Sequence, residues 1–279
     1  MNFSALGPVA ANQSAKSAGV ATRNLTPIKM IAPILTRSKV LLELLLSQPV
    51  VELELVSSVV SLDPGLAYNT WRLTQQQAWN APIWSIPLLV VTAGTDDLLR
   101  LVRMSPEVQS NRDEEQPPAW VPSVLRGVAA RTAARLLGRA ECDSAYLAGL
   151  LWDFPGTDIS SNCQLRSPAA EDKIERSRLC NSLAIDFRES WHDRMSVEDM
   201  TPVLEIAMAI TLDEAGGTST SACPVSDTER TAVWPGVTPQ RQREIMVRCR
   251  SVTSWAANNV FRLSPWEFWK QLEIATGSE

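Results

Sequence analysis

Asp63-Pro64-Gly65 lies in the middle of a long apolar stretch, residues 50–106, and constrains how that stretch can fold more than any other tripeptide in the chain. Proline has no amide hydrogen and a φ fixed near the helical value, so it suits the first position of a helix and breaks one further in. Aspartate just before it supplies an N-cap acceptor. One helix must end upstream and another begin at Pro64. Upstream, Leu53, Val56, Val59, Val60 and Leu62 recur at three- and four-residue spacing, the face of a helix ending near Leu62. Downstream, the second helix carries Leu66, Tyr68 or Asn69, and Leu73. The two are joined almost without a loop.

Further along, Ala81-Pro82 forces an extended turn, residues 83–91 are almost wholly apolar, and Gly94 with Thr95-Asp96-Asp97 offers a stop followed by a new cap. Leu98, Leu101 and Val102, with Met104, give the next helix its buried side. Residues 41–60 are very apolar, but Glu43, Pro49, Glu52 and Glu54 interrupt them, so they read as a buried helix pair and not as a membrane span.

QSNRDEEQPP, residues 109–118, is polar, charged and proline-terminated, a linker between two helical lobes. Beyond it a helix is predicted over 121–137, with Val124, Leu125, Val128, Ala129, Ala133 and Leu136 as its apolar positions. Arg131, Arg135 and Arg139, four apart, would place three cations along one side. Such a row serves either as a shelf for an anion or nucleotide or as an ordinary solvated face. Residues 146–152 predict a short apolar helix, 169–191 a long one and 197–212 another. Residues 216–224, GGTSTSACP, form a connector without the Lys-Ser or Lys-Thr ending of a phosphate-binding loop. Thr238-Pro239 caps a helix to about residue 258 that carries a second basic cluster, Arg241, Arg243, Arg248 and Arg250. Ser264-Pro265-Trp266-Glu267 is a capping-box start for a last helix bearing Phe268, Trp269 and Leu272.

Taken in order, these features resemble the HDOD family, divergent relatives of the HD phosphohydrolases that serve mostly as signalling output or scaffold modules. Asp63-Pro64-Gly65-Leu66 is similar to the family's Asp-Pro-x-Leu, Ile83-Trp84-Ser85-Ile86 to its Ile-x-Ser-Ile helix start, and Ala93-Gly94 to its Leu-Gly turn. Ala119-Trp120-Val121-Pro122-Ser123 looks like its Leu-Trp-x-x-Ser. Residues 146–156, YLAGLLWDFPG, resemble its Phe-Leu-Ala-Gly-Leu-Leu-His-Asp-Ile-Gly signature. The likeness covers residues 34–216, roughly.

The resemblance implies an all-α, multi-helical, orthogonal bundle over residues 28–216, in lobes of 28–108 and 119–216. A flexible tail, 1–27, would precede it, and a C-terminal helical extension, 217–279, would pack on it. Asp63, Pro64, Leu66, Ser85, Gly94, Gly149, Trp152 and Asp153 would be its structural signature positions. It also implies a non-enzymatic scaffold of bacterial-type signal transduction, without cofactor. Its partners would be proteins such as histidine kinases, response regulators or cyclic-dinucleotide enzymes. The departures are specific: Gln75-Gln76 stand where the family has Asn-Ser, Trp152 replaces the signature histidine, and Thr211-Leu212-Asp213 follow the helix after which many members carry a His-His pair.

Composition excludes most catalytic classes. An HD phosphohydrolase needs several histidines and carboxylates around its metals, and this chain has one histidine, His192, about forty residues from Trp152-Asp153. A Ser-His-Asp or Cys-His site would depend on that single imidazole, and no serine or cysteine stands in a nucleophile context. Five cysteines at wide spacing, Cys142, Cys163, Cys180, Cys223 and Cys249, read as free thiols of a reducing, cytoplasmic compartment. Residues 1–42 carry Lys16, Arg23, Lys29, Arg37 and Lys39 and no acid, without the continuous apolar block of a secretory signal. With 26 basic and 31 acidic residues the net charge is −5, so nucleic acid is not an expected partner. Ten tryptophans spread along the chain read mostly as core.

Overall fold

The computed structural model describes residues 31–76, 85–108, 120–139, 141–152, 197–214 and 237–276. The fold is all-α. Ten helices are present among these residues: α1 (Thr36–Leu46), α2 (Leu53–Ser61), α3 (Pro64–Gln76), α4 (Ile86–Ala93), α5 (Thr95–Met104), α6 (Val121–Leu136), α7 (Cys142–Leu151), α8 (Val197–Glu214), α9 (Pro239–Asn259) and α10 (Pro265–Thr276). The described β-structure is a two-residue parallel pairing of β1 (Ile34–Leu35) with β2 (Glu107–Val108). The tail 1–27, the linker 109–118, the predicted helix 169–191, the connector 216–224, His192, Asp153 and three of the cysteines lie outside the described residues.

The α2–α3 junction falls where Asp63-Pro64 requires it. The Asp63 carboxylate accepts the Leu66 amide at 3.0 Å as an N-cap, and its other oxygen accepts the Leu35 amide at 2.8 Å. Leu66, Tyr68, Asn69 and Leu73 are all buried. Asn69 treats the backbone of Ala32 as a strand neighbour would, accepting its N–H and donating to its carbonyl, both at 2.8 Å, and it also donates to Ser105 Oγ. Asp63 at the N-cap of α3 and Asn69 within it thus pin the segment that leads into β1 and α1. Gly65 completes the junction, since a Cβ there would lie 2.0 Å from the Pro33 carbonyl oxygen.

The helix after Gly94 starts differently from the sequence expectation. Gly94 is itself the N-cap, at φ 77°, Thr95 is the first helical residue, and no side chain caps the helix. Asp96 and Asp97 in the first turn favour that start through the helix dipole. Leu98, Leu101 and Val102 are buried as expected, but Met104 is 60% exposed. Each helical residue turns about 100°, which carries Met104 off the face that the other three share.

α6 is the centre of the second group of helices and packs against α7, α8 and α9. Twelve of its sixteen residues are buried, as expected for a helix enclosed on nearly all sides. α7 crosses it at two glycines. A Cβ on Gly127 would approach the Tyr146 ring to 2.9 Å, and one on Gly149 would approach the Arg126 carbonyl oxygen to 2.7 Å. The C-terminal helices close the body, with α10 against α2 and α9 against α6. The Arg37 guanidinium on α1 lies over the Phe261 ring at 4.7 Å. The start of α10 is a capping box: Glu267 accepts from Ser264 Oγ at 2.6 Å and from its amide at 3.2 Å, which holds the Glu267 carboxyl below its usual range. No described helix is long and apolar enough to cross a membrane.

Candidate functional site

The arginine row resolves into a pair and an outlier. α6 ends at Leu136, and Gly138 turns left-handed at φ 69°. The Gly138 amide donates to the Arg135 carbonyl and the Arg139 amide to that of Ala134, the two bonds of a Schellman motif. Arg139 therefore sits past the helix end, exposed, and shares no helical face with the other two. This corrects the expected three-cation row. Gly138 ends the helix before the four-residue spacing reaches Arg139, because its left-handed backbone, which glycine adopts without strain, cannot continue a right-handed helix.

Arg131 and Arg135, one turn apart on α6, converge on Glu273 of α10. Arg131 Nη1 pairs with Glu273 Oε1, and Arg135 Nη2 lies 3.0 Å from Oε2. Arg135 also donates to Thr276 Oγ1. Arg131 Nη2 is 3.4 Å from Asp143 at the start of α7, and its guanidinium carbon lies 5.2 Å from the centre of the Trp269 ring. The anion these two arginines hold is thus a carboxylate of the chain itself. Trp269 meets Tyr146 edge-on at 4.9 Å, and the Tyr146 hydroxyl donates to the Ser61 carbonyl at 2.7 Å. Burial pushes the Tyr146 phenol well above its usual range, against the opposing influence of the Arg131 charge. Residues from α2, α6, α7 and α10 meet at this one junction.

Beside it opens a cleft of about 460 Å³. One wall is Leu53, Glu54, Ser57, Ser58 and Ser61 of α2, a second is Ile86, Pro87 and Val91 of α4, and the far end is Arg131, Asp143, Tyr146 and Trp269. The three serine hydroxyls donate back to the carbonyls of Leu53, Glu54 and Ser57, at 2.7, 2.8 and 2.8 Å. Arg131 is already paired, and the Tyr146 proton is engaged. Among the described residues the lining contains no histidine, cysteine or lysine. Such a surface is chemically suited to holding an apolar group, with charge at its edge.

None of the described signature positions lines the cleft. Pro64 begins α3, and Asp63 and Leu66 are fully buried beside it. Ser85 stands at the N-cap of α4 without a side-chain cap bond, Gly94 separates α4 from α5, and Gly149 lies at the α6–α7 crossing. Trp152, half-buried, is the C-cap of α7. In the second basic cluster, Arg241 donates to the Leu136 carbonyl and pairs with Glu244 at 3.2 Å, and Arg248 donates to the Ala275 carbonyl. Sequence reasoning missed Glu273, Tyr146 and Asp143 as site residues and placed Trp269 in the core alone. Trp269 and Glu273 stand four apart on a capped helix, a spacing that puts both on one face.

No protein-family model matches the sequence, and no curated protein matches it. Among solved structures, the fold is similar to the crystal structure of the MmoQ response regulator from Methylococcus capsulatus strain Bath. The TM-score is 0.50 at 14% identity, over 80% of this chain and 99% of that one. A fragment of the same regulator gives a TM-score of 0.46 at 16% identity, over 88% and 91% of the two chains. At 14% identity the likeness to the first of these is one of fold.

Proposed function

We propose that this chain is a non-catalytic module of the HDOD type, acting in signal transduction by binding another protein. The observation that carries the reading is the cleft: an open, mostly apolar depression whose charged and hydroxylic groups are largely committed to partners within the chain. A surface of that kind binds and does not turn over. The order of the signature residues, and the fold shared with a protein described as a response regulator, support a place in signalling. Histidine kinases, response regulators and cyclic-dinucleotide enzymes are the candidate partners. The rival reading, a nucleotide or phospho-ligand sensor on the arginine face, requires the ligand to displace Glu273 from both Arg131 and Arg135. Purified full-length chain should bind a purified signalling partner directly and release no product from nitrophenyl phosphoesters supplied with manganese, iron or zinc. Metal-dependent phosphoester turnover would remove the reading.

A further inference from the structure

α4 carries the sequence IPLLVVTA, apolar at seven of its eight positions, yet only one side of it is covered. Ile86, Leu89, Val90 and Ala93 are buried, whereas Leu88 is 51% and Val91 56% exposed, and Pro87 is exposed beside them. A helix that is apolar all round is normally enclosed. Pro87 and Val91 line the cleft, and across from them Leu53, 37% exposed, begins α2. The apolar surface therefore runs out of the cleft and along α4, further than a small ligand would need. Contiguous exposed apolar surface with a polar rim marks a place where another chain docks.

The rim is acidic. Glu52 and Glu54 stand at the start of α2, and Glu141 and Asp143 at the start of α7. Glu52, Glu54 and Glu141 are exposed and form no ion pair among the described residues. Asp143 keeps half of its side-chain surface in solvent while it touches Arg131. The single cation among the described lining residues, Arg131, is taken up by Glu273 and Asp143. Helix dipoles favour acids at these two helix starts, but they give no reason for the bare apolar side of α4 between them.

We infer that the cleft and the open side of α4 receive the apolar face of a basic amphipathic helix from another protein, with its lysines and arginines meeting Glu54, Asp143 and their neighbours. This rests on the binding-module reading and names the chemistry of the partner. An apolar face seated in a groove with anchors at helical spacing, framed by opposite charge, is a recurrent mode of peptide recognition.

The test uses the full chain and two fluorescent helical peptides of about 18 residues, five turns each. Both carry the same Leu and Trp face; one is otherwise Lys and Arg, the other Glu and Asp. The basic peptide binds, and the acidic one binds at least about tenfold more weakly. Val91→Asp weakens the basic peptide by about tenfold or more, and Glu54→Lys by about threefold with a shallower dependence on salt. Both side chains are exposed, so thermal unfolding of the variants stays at the wild-type temperature. Equal affinity for the two peptides, no binding of the basic one at about 1 mM, or unchanged binding by Val91→Asp would each overturn the assignment. So would sedimentation showing that a second copy of this chain fills the groove and leaves it in Val91→Asp. If a purified signalling partner binds both variants as tightly as wild type, the cleft assignment falls and the binding-module reading stands. Phosphoester turnover would remove that reading without altering the peptide measurement.

Discussion

The Asp63 carboxylate and the Leu35 amide meet at 2.8 Å across 28 residues of sequence, inside the core, while the other carboxylate oxygen caps α3 through Leu66. One side chain therefore closes the start of α3 and holds the strand residue that precedes α1. Removing it in Asp63→Ala leaves two buried amides without an acceptor, each costing about 1–3 kcal/mol. The variant should lose about 2–6 kcal/mol in urea unfolding. A loss below about 0.5 kcal/mol, the scale of a neutral surface change, would show that water reaches both amides.

The same carboxyl gives a pH dependence with a definite sign. Burial raises the Asp63 pKa above its ordinary value of 3.8, against the lowering effect of its hydrogen bonds to Leu35, Leu66 and Ser38 and of the Arg37 charge. Between 3.8 and the native value the folded chain binds more protons than the unfolded one, so this group's contribution to stability is fully present below 3.8 and is lost as pH rises through the native value. Asp63→Asn removes that titration and leaves all others in place. The stability of wild type relative to the Asn variant should therefore grow as the pH is lowered from 7 toward 4. A difference that shrinks on acidification contradicts the stated balance of burial over hydrogen bonding.

Features whose cause lies within one helical turn were legible in the sequence. The Asp63-Pro64 boundary and the Ser264–Glu267 capping box are local chemistry, and both stand in the structure as the residues dictate. The helical faces of α2 and α5 are periodic, and Val56, Val59, Val60 and Leu62 of the first and Leu98, Leu101 and Val102 of the second are buried, whereas Leu53, expected on the α2 face, is 37% exposed at the helix start. What could not be read is the second half of each pairing. Asp63 reaches Leu35, and Arg135 meets Glu273 138 residues away, because the fold brings them together and no spacing rule records it. Arg139 is a different failure. Gly138 was visible as a terminator, and extending the four-residue row past it overrode the stronger local signal.

Gly149 fixes how closely α7 can approach α6. A methyl group there would sit 2.7 Å from the Arg126 carbonyl oxygen and 2.9 Å from Ala130 Cβ, so the helices must separate. Gly→Ala in a helix interior ordinarily gains up to about 1 kcal/mol, and overpacking of this kind costs about 1–3 kcal/mol. The clash is with backbone, which yields least, so Gly149→Ala should be net destabilising. An increase in thermal stability would mean that α7 slides freely on α6.

Cys249 on α9 is buried, and burial pushes its thiol up to about 12. At pH 8 the thiolate is then about one part in 10⁴, and the thiolate is the reactive form. In a variant that retains Cys249 alone, with Ser at the other four cysteines, an aromatic disulfide reagent should label the thiol only as fast as the protein opens. The rate should rise to that of a free thiol in denaturant. Immediate labelling of the native protein would place Cys249 at the surface.

Glu273 is the residue on which the junction of α2, α6, α7 and α10 depends for its charge balance. Its side chain is 35% exposed, while those of Arg131 and Arg135 are 17% and 29% exposed, so the three are neither a surface pair of negligible value nor a fully buried triad. Glu273→Ala should cost about 1–3 kcal/mol, intermediate between those limits, and Glu273→Gln nearly as much, since the amide keeps the shape and loses the charge. In a double-mutant cycle, Glu273→Ala with Arg135→Ala should lose less than the sum of the single changes, because each single change already breaks the shared contact. Removal of Glu273 also leaves Arg131 with Asp143 and takes away the carboxylate that Arg131 and Arg135 share, so inorganic phosphate should raise the melting temperature of Glu273→Ala and leave wild type unchanged. Equal stabilisation of both proteins by phosphate would mean that an anion reaches the arginines with Glu273 in place, and would restore the sensor reading.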